Sequence, residues 1–445
     1  MRVVEGADEA RRTILRREHA EATEVPGAVA ETLERVFGRR VSPEEAVRCI
    51  IDDVRKRGDE ALAHYNRALD GVSSGAIEVD HAEIEAAWSE IPSELADALR
   101  FAAGRIREYH EEQRRHAAQS FFNNGRGQQV TAVERVGMYV PGTSVVYPSS
   151  VLMTAIPARV AGVGELFMAT PAGPDGSVSP LKLAAADLAG VDRVFRIGGA
   201  QAIAALAIGT ETVPRVDKIC GPGGLFVTLA KQMVYGQVGI DSVYGPSETI
   251  VVADESADPV LSAADLLAQA EHDELANPIL LATSREVVDR TLQEVEKQLA
   301  TLPRGQIARN ALERQGGAVI VASIDEAVML ANEYAPEHLC LNVSAAERYL
   351  SAVKHAGAVF VGEGSPEAIG DYTAGPSHVM PTGRAARFSG ALGVHDFLKI
   401  TSVINLDGGL AASLARQGAV IAQAEGFTGH AAAMERRLDR QDGAR

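Results

Sequence analysis

The chain has 445 residues, 46% of them hydrophobic, and carries 60 acidic against 43 basic side chains for a formal charge of −17. That length exceeds a single ordinary core, and that charge argues against nucleic acid as a partner. The opening MRVVEGADEARR is charged from its first residues, no apolar run has signal-peptide length, and none reaches membrane-spanning length.

The first 130 residues read as helices. LERVFG, AVRCIIDDVRKRG and ELADALRFAAGRIREYHEEQRRH carry apolar residues at helical spacing, and only Ala76 to Val79 has a strand-like pattern. Arg11, Arg12, Arg16 and Arg17 are interleaved with acids and read as a solvated helix face. The polar, glycine-containing NNGRGQQ within Gln119 to Gln129 reads as a hinge or turn, with a boundary at Arg135 to Gly142. From there short apolar runs alternate with longer helical stretches. The expected strands are Leu166 to Ala169, Val194 to Ile197, Lys218 to Cys220, Ile250 to Ala253, Ile279 to Ala282, Ala318 to Val321, Leu339 to Val343 and Ala358 to Val361. Such alternation predicts βαβ units and mainly parallel sheets. A single barrel is one arrangement of these strands; the helical N-terminus and uneven spacing favour two doubly wound α/β sheets. After Asp396 the pattern predicts helix, with a fraying tail.

Several strings carry residues suited to chemistry. In EYAPEHL, Pro336 disfavours helix at Ala335, so Glu337 and His338 are expected in a rigid turn before a strand, held for reaction without being packed away. Imidazole is the usual proton carrier near neutral pH, and a neighbouring carboxylate can activate water. The plain alternative is a polar turn. Glycine turns open two helices, in IGGAQAIAAL and CGPGGLFV, and can present backbone N–H groups to a phosphate, although neither is the dinucleotide fingerprint and no acid follows at the usual spacing. In QAEHDE, Gln269 and His272 share a helical face and offer half of a metal site; Asp371 and His378 in GDYTAGPSHVMP, and Glu425 and His430 in AEGFTGHAAA, are possible partners. The three cysteines, Cys49, Cys220 and Cys340, have neither metal-binding nor redox spacing, and their odd number suits a reducing cytoplasm, the expected location. Cys340 falls on the same strand face as His338, but no base is visibly poised to make a thiolate.

Read together and in this order, VGMYVPGTSVVYPSSVLMTAIPARVAGV, RIGGAQAIAALAIGTETVPRVDKICGPGG, VGIDSVYGPSE, QAEHDE, EYAPEHL, GDYTAGPSHVMPTG, VHDFLKITSVI and EGFTGH closely resemble the histidinol dehydrogenase family, from about residue 25 to about residue 435. The resemblance implies oxidation of L-histidinol to L-histidine with two NAD molecules and a bound zinc. It makes Gln269, His272, Asp371 and His430 the zinc ligands and Glu337 and His338 the catalytic pair. Ser247, His378 and Glu425 match substrate contacts, beside the ligands and the catalytic pair, and Tyr139 and Gln201 match NAD contacts. Glu425 and His430 come, in the family, from the other subunit of an intertwined homodimer. The implied organisation is a helical arm over 1–30 and a Rossmann-like domain of 31–138 plus 247–392. A second such domain, 139–246, is inserted into it and binds NAD, and a dimer-swapped arm covers 393–445.

Two departures stand out. Gly224 replaces the Asn that the family usually places after GPG, removing an NAD contact, while Ser377 and Glu274 replace an Asn and a Pro beside the site. A paralogous zinc- and NAD-dependent dehydrogenase of another small polar alcohol, such as a sulfonated propanediol, is therefore the alternative, and a zinc hydrolase a more distant one.

Overall fold

A computed structural model describes residues 1–17, 25, 27–72, 75–142 and 145–442. Thr143 and Ser144 of the PGTS string, residues 18–24 and 26 of the expected N-terminal arm, and the tail 443–445, where fraying is expected, lie outside the described residues. Two compact units form: Met1–Arg115 with Val133–Phe397, and His116–Ala132 with Leu398–Arg445.

The larger unit holds two open parallel sheets. One runs, edge to edge, Arg2–Glu5, Gly317–Ile320, Asn277–Ala282, Glu248–Ala253, His338–Asn342 and Ala358–Val361. The other runs Arg193–Arg196, Glu165–Thr170, Arg135–Tyr139, Lys218–Cys220 and Gly239–Ile240. In chain order that second sheet reads third, second, first, fourth, fifth, the arrangement of a nucleotide-binding half. Their strands are apolar on both faces because helices cover both, as in Glu248–Ala253, where every residue is buried. Separate clusters line the two faces of the first sheet, Val251, Leu280 and Cys340 on one side and Ile250, Leu281 and Leu339 on the other. Alternation along each strand sorts neighbours to opposite faces.

All eight expected strands are present, and three further ones in the two parallel sheets, Arg2–Glu5, Arg135–Tyr139 and Gly239–Ile240, were not expected. Arg135–Tyr139 is the central strand of its sheet, where the sequence suggests only a boundary. Arg2–Glu5 adds a parallel edge strand where a helical arm is expected. Ala76 to Val79 contributes only an isolated bridge, Glu78 to Phe195. The helices Pro43–Arg57 and Asp59–Ala68 share a core with the second sheet, where Val47, Ile50, Leu62 and Tyr65 join Phe167, Phe195 and Leu206. The family resemblance groups residues 31–138 instead with the first sheet.

In the smaller unit, Phe121–Asn123, Arg126–Ala132 and Leu398–Ile404 form an antiparallel sheet, followed by helices Gly408–Ala424 and Thr428–Asp442. The expected hinge is thus a hairpin: Asn124 and Gly125, with φ of 48° and 73°, supply the consecutive left-handed residues of a tight turn. The expected helix after Asp396 begins only after the strand Leu398–Ile404, in which Leu398 and Ile400 alternate with Lys399 and Thr401.

Candidate active site

The helix Ile324–Tyr334 starts on Ser323, whose side chain accepts the Glu326 N–H, and ends on Ala335, forced into the left-handed region at φ 57°. Pro336 follows, and the chain turns directly into the strand His338–Asn342. Glu337 and His338 are therefore buried, 8% and 3% exposed, at the amino end of a central strand. This corrects the expectation of an open turn: helices cover both faces of the sheet, so the residue that opens the strand is already inside.

The neighbouring strand holds both side chains. The Glu248 N–H donates to Glu337 Oε2 at 3.1 Å, and the Glu248 carbonyl lies 3.2 Å from His338 Nδ1. A carbonyl can only accept, so Nδ1 carries a proton, and Nε2 is the nitrogen left to gain or lose one. Nε2 is buried, has no hydrogen-bond partner among the described residues, and lies 3.7 Å from Asp371 Oδ1. The ring stacks on Phe360 at 5.8 Å. Glu248 is itself clamped by the Arg17 guanidinium, which also donates to the Tyr334 carbonyl at 3.1 Å and lies over the Tyr334 ring at 4.0 Å. Gly383 N–H donates to the same Glu248 carboxylate. Arg17 is thus a clamp on the site, not a member of a solvated face.

Burial dominates the ionisation of Glu337, which rises to about 7 although the His338 charge and the Glu248 N–H pull it down. For His338, burial acts downward but the carboxylates of Glu337 and Asp371 prevail and lift it to about 10. Asp371 moves the other way: burial raises it, but the His338 ring beside it and the charges of His378 and His272 hold it below the usual range. Glu367 is fully buried and is pushed up to about 8; one oxygen accepts from the Thr249 hydroxyl at 2.9 Å and the other has no partner. Arg17 and Glu367 are absent from the family motifs, and Glu248 closes VGIDSVYGPSE without being singled out; only their positions in the fold reveal their roles.

The remaining candidates are distributed as follows. Gln269 ends the helix Pro259–Ala270, buried, with Nε2 lacking a partner. His272 lies past the end of that helix, its N–H donating to the Gln269 carbonyl, so a closing turn and not a shared helical face brings the two together. His272 is exposed, yet the surrounding protein pushes the imidazole toward its neutral form. His378 bonds the Asp371 carbonyl through Nδ1 at 2.9 Å and Ser150 Oγ through Nε2 at 2.9 Å. Ser150 sits in the first turn of the helix Pro148–Ala161, so this histidine ties the two sheets together. The Ser247 carbonyl accepts from Asn277 at 2.8 Å beside the start of its strand. Glu425 and His430 lie in the smaller unit, both exposed, the His430 ring edge-on to Phe427 at 5.4 Å. Among the described residues no group of three or more His, Cys, Asp or Glu is placed to hold a metal ion.

At the other sheet, Tyr139 ends the central strand and its hydroxyl accepts the Gly199 N–H at 3.1 Å. Gln201 donates to Asp70 Oδ2 at 2.9 Å. Gly221, at φ 105°, is where only glycine fits, since a Cβ would stand 2.2 Å from the Tyr139 carbonyl. Gly224 caps the helix Leu225–Val234, and a side chain there would meet open space. Lys182 is buried and donates to the carbonyls of Pro141 and Gly142 and to Thr170, fixing the turn after the central strand. The substitutions noted earlier are accommodated: Ser377 donates to the Met153 carbonyl at 3.0 Å, and Glu274 accepts from Asn310 and Arg314. Cys220 and Cys340 are buried and held as thiols, well above their ordinary range, so neither is poised as a nucleophile.

Two parallel α/β sheets, one in nucleotide-binding order and the other presenting a buried acid–base pair, define an α/β oxidoreductase. The histidinol dehydrogenase family model matches residues 37–438. A protein named histidinol dehydrogenase from Dehalococcoides mccartyi is 46% identical over 442 residues, covering 99% of this chain and all of that one. Another of that name from Thermus thermophilus is 49% identical over 414 residues, covering 92% and 99%. The crystal structure of histidinol dehydrogenase from Elizabethkingia anophelis matches with a TM-score of 0.89 at 32% identity, over 99% of each chain. The chain belongs to the histidinol dehydrogenase family, whose members are NAD-dependent oxidoreductases. Among the described residues no helix is long and apolar enough to cross a membrane.

Proposed function

We propose that the chain oxidises L-histidinol to L-histidine through the aldehyde, with Glu337 and His338 as catalytic pair and zinc as substrate anchor. The observation that carries this reading is the single residue Glu248, whose N–H orients the carboxylate and whose C=O fixes the imidazole tautomer. The curated relatives favour histidinol over another small alcohol.

In the first half, His338 in its form unprotonated at Nε2 takes the hydroxyl proton as the carbinol carbon gives up hydride to the first NAD, leaving the aldehyde. In the second, Glu337 removes a proton from water as its oxygen adds to the aldehyde carbon. The hydrate then loses hydride to a second NAD and becomes the carboxylate. The first half yields one NADH and one proton, and the second, which ends at the carboxylate, yields one NADH and two protons. Burial near Glu337 keeps its basicity close to neutral pH, where a general base is most effective. Tyr139, Gln201 and the turn at Gly221 to Gly224 line the edge where the cofactor is read.

Gln269, His272 and Asp371 fit a divalent cation: the imidazole tends to neutrality, the carboxylate to its anion, and the buried Gln269 amide carries a neutral oxygen donor. Zinc, when bound, supplies a fixed positive charge against Asp371 and an anchor for the substrate nitrogens. His430 is the proposed fourth ligand, and Glu425, Ser247 and His378 are the proposed substrate contacts. Glu425 and His430 act from a second copy of the chain in this reading. In its support, the smaller unit exposes Phe121, Phe122, Ile400, Ile404, Leu414, Val420, Ile421 and Phe427, while its own buried cluster is Ala419, Ala422 and Ala431. A homodimer would cover that surface. The cell compartment proposed is the cytoplasm.

The test is NADH production from L-histidinol, abolished by chelation and restored by zinc. Two NADH per histidinol are expected, with L-histidine as product. Absence of NADH with the metal restored overturns the reading.

A further inference from the structure

We propose that Asp70 is the acid that recognises the adenosine ribose of NAD and excludes NADP, an inference that rests on the NAD dependence above. In doubly wound nucleotide-binding sheets the ribose diol is read by a carboxylate at the carboxyl end of the second strand, adjacent to the first. That strand here is Glu165–Thr170; its end carries no acid, and Asp175, in the loop after it, accepts from the N–H and hydroxyl of Ser177. Asp70 supplies one from elsewhere in the chain. It follows the helix Asp59–Ala68, whose end is tied to the third strand by Asn66, donating to the Arg196 carbonyl at 2.8 Å. A Cβ on Gly198 would stand 2.9 Å from Asp70 Oδ2 and 3.0 Å from Pro171, so the carboxylate lies over the carboxyl ends of the second and third strands. Glycine at 198 is what lets it approach.

The polar groups around it are incompletely used. Gln201 donates to Oδ2, while Oδ1 has no hydrogen bond among the described residues. The Gln201 Oε1 is buried without a partner. An acceptor oxygen and an amide oxygen side by side match a vicinal diol, which brings two hydroxyl donors. Burial pushes Asp70 up to about 6, so it is an anion at neutral pH that gains from another donor. A 2′-phosphate in place of the hydroxyl brings negative charge against that anion and has no proton to give it. Arg196, the nearby cation, is already engaged with Glu83 and with the carbonyls of Gly176, Ala76 and Glu78, leaving no free partner for a phosphate.

The experiment titrates NAD and NADP calorimetrically into wild type, Asp70→Asn and Asp70→Glu, with L-histidine filling the substrate site, and follows with steady-state kinetics. Asp70→Asn is expected to weaken NAD binding about tenfold, the size of one hydrogen bond to a charged group, and to narrow the NAD preference. Its kcat at saturating NAD is expected to stay within about twofold, since Asp70 is remote from the proton-transfer groups. Asp70→Glu keeps part of the preference. Wild-type NAD binding that is unchanged in Asp70→Asn, with the NADP discrimination intact, overturns this assignment and leaves NAD dependence standing. If wild type binds no NAD, the cofactor reading falls and the assignment with it.

Discussion

The two sheets of the larger unit share an architecture and use opposite ends of it. In the nucleotide-binding-order sheet, Tyr139, Gly221, Gln201 and Asp70 gather at the carboxyl ends of the strands, where the reversal of strand order opens a crevice. In the other sheet the order also reverses, between Glu248–Ala253 and His338–Asn342, but that carboxyl end is closed by Asp254, which accepts from the Ser344 N–H and hydroxyl. Glu337 and His338 sit at the amino end instead. The carboxyl end offers N–H groups from glycine turns, suited to a large ligand reached from solvent. The amino end offers a buried frame in which a backbone amide and carbonyl of one residue hold an acid and a base. The difference teaches that a fold prescribes a place for the cofactor more firmly than a place for the chemistry.

The strongest way to break that contrast is at the pair. His338→Gln is expected to lower the first oxidation by about 10²–10⁴-fold, while Glu337→Gln spares it and slows oxidation of supplied histidinal by a similar factor. Stopped-flow NADH traces with alcohol and aldehyde separate the two steps; equal loss of both steps in both variants would contradict the division of labour. Glu337 must be ionised to take a proton from water. Since its carboxyl is raised to about 7, the aldehyde step should slow as pH falls through about 7, and that inflection should vanish in Glu337→Gln.

A smaller effect is expected at the clamp behind the pair. Arg17→Ala leaves Glu248 buried without its cation, a change that costs about 3–5 kcal/mol where such pairs are well enclosed. Arg17 is partly exposed, so the lower end applies. Glu248 then has reason to move or protonate, and both members of the pair lose a common template. The prediction is a lower melting temperature together with a fall in kcat about equal in both steps, KM for NAD being unchanged. A drop in stability with kcat intact would show that Glu248 holds the pair without Arg17.

How much of this was readable beforehand follows from range. Pro336 placed the end of the helix Ile324–Tyr334 because its effect on Ala335 is local, and the apolar runs gave the eight strands because burial on both faces needs no partner to be identified. Arg135–Tyr139 was missed because Gly137 interrupts its apolar pattern; in the fold that glycine lets Leu206 pack against the strand, a contact 69 positions away that no local window contains. The turn at Asn124 and Gly125 was legible as a hinge or turn, but its two strands were not, because Phe121–Asn123 is only three residues long and Arg126–Ala132 is largely polar. Glu337 and His338 were found by type and adjacency, but their burial depends on strands at 248 and 358. Asp70, Arg17 and Glu367 carry no motif at all, and Glu248, the last residue of VGIDSVYGPSE, shows its role only through the neighbouring strand.

The gentlest perturbation falls on the cofactor end. Gly224 begins a helix with an extended backbone, φ −70° and ψ −175°, and a side chain there meets nothing within 4 Å. Asn fits that conformation and that space. As a cap it gains only a few tenths of a kcal/mol over Gly, so capping alone moves the melting temperature little. A contact with NAD is a separate gain: one neutral hydrogen bond of about 1 kcal/mol lowers the dissociation constant about fivefold. Gly224→Asn is therefore expected to tighten NAD severalfold at nearly constant stability and kcat, measured by calorimetry and melting in parallel. If affinity stays put while stability rises by the capping increment, the turn at 224 faces solvent and not the cofactor, and the reading edge contracts to Tyr139, Gln201 and Asp70.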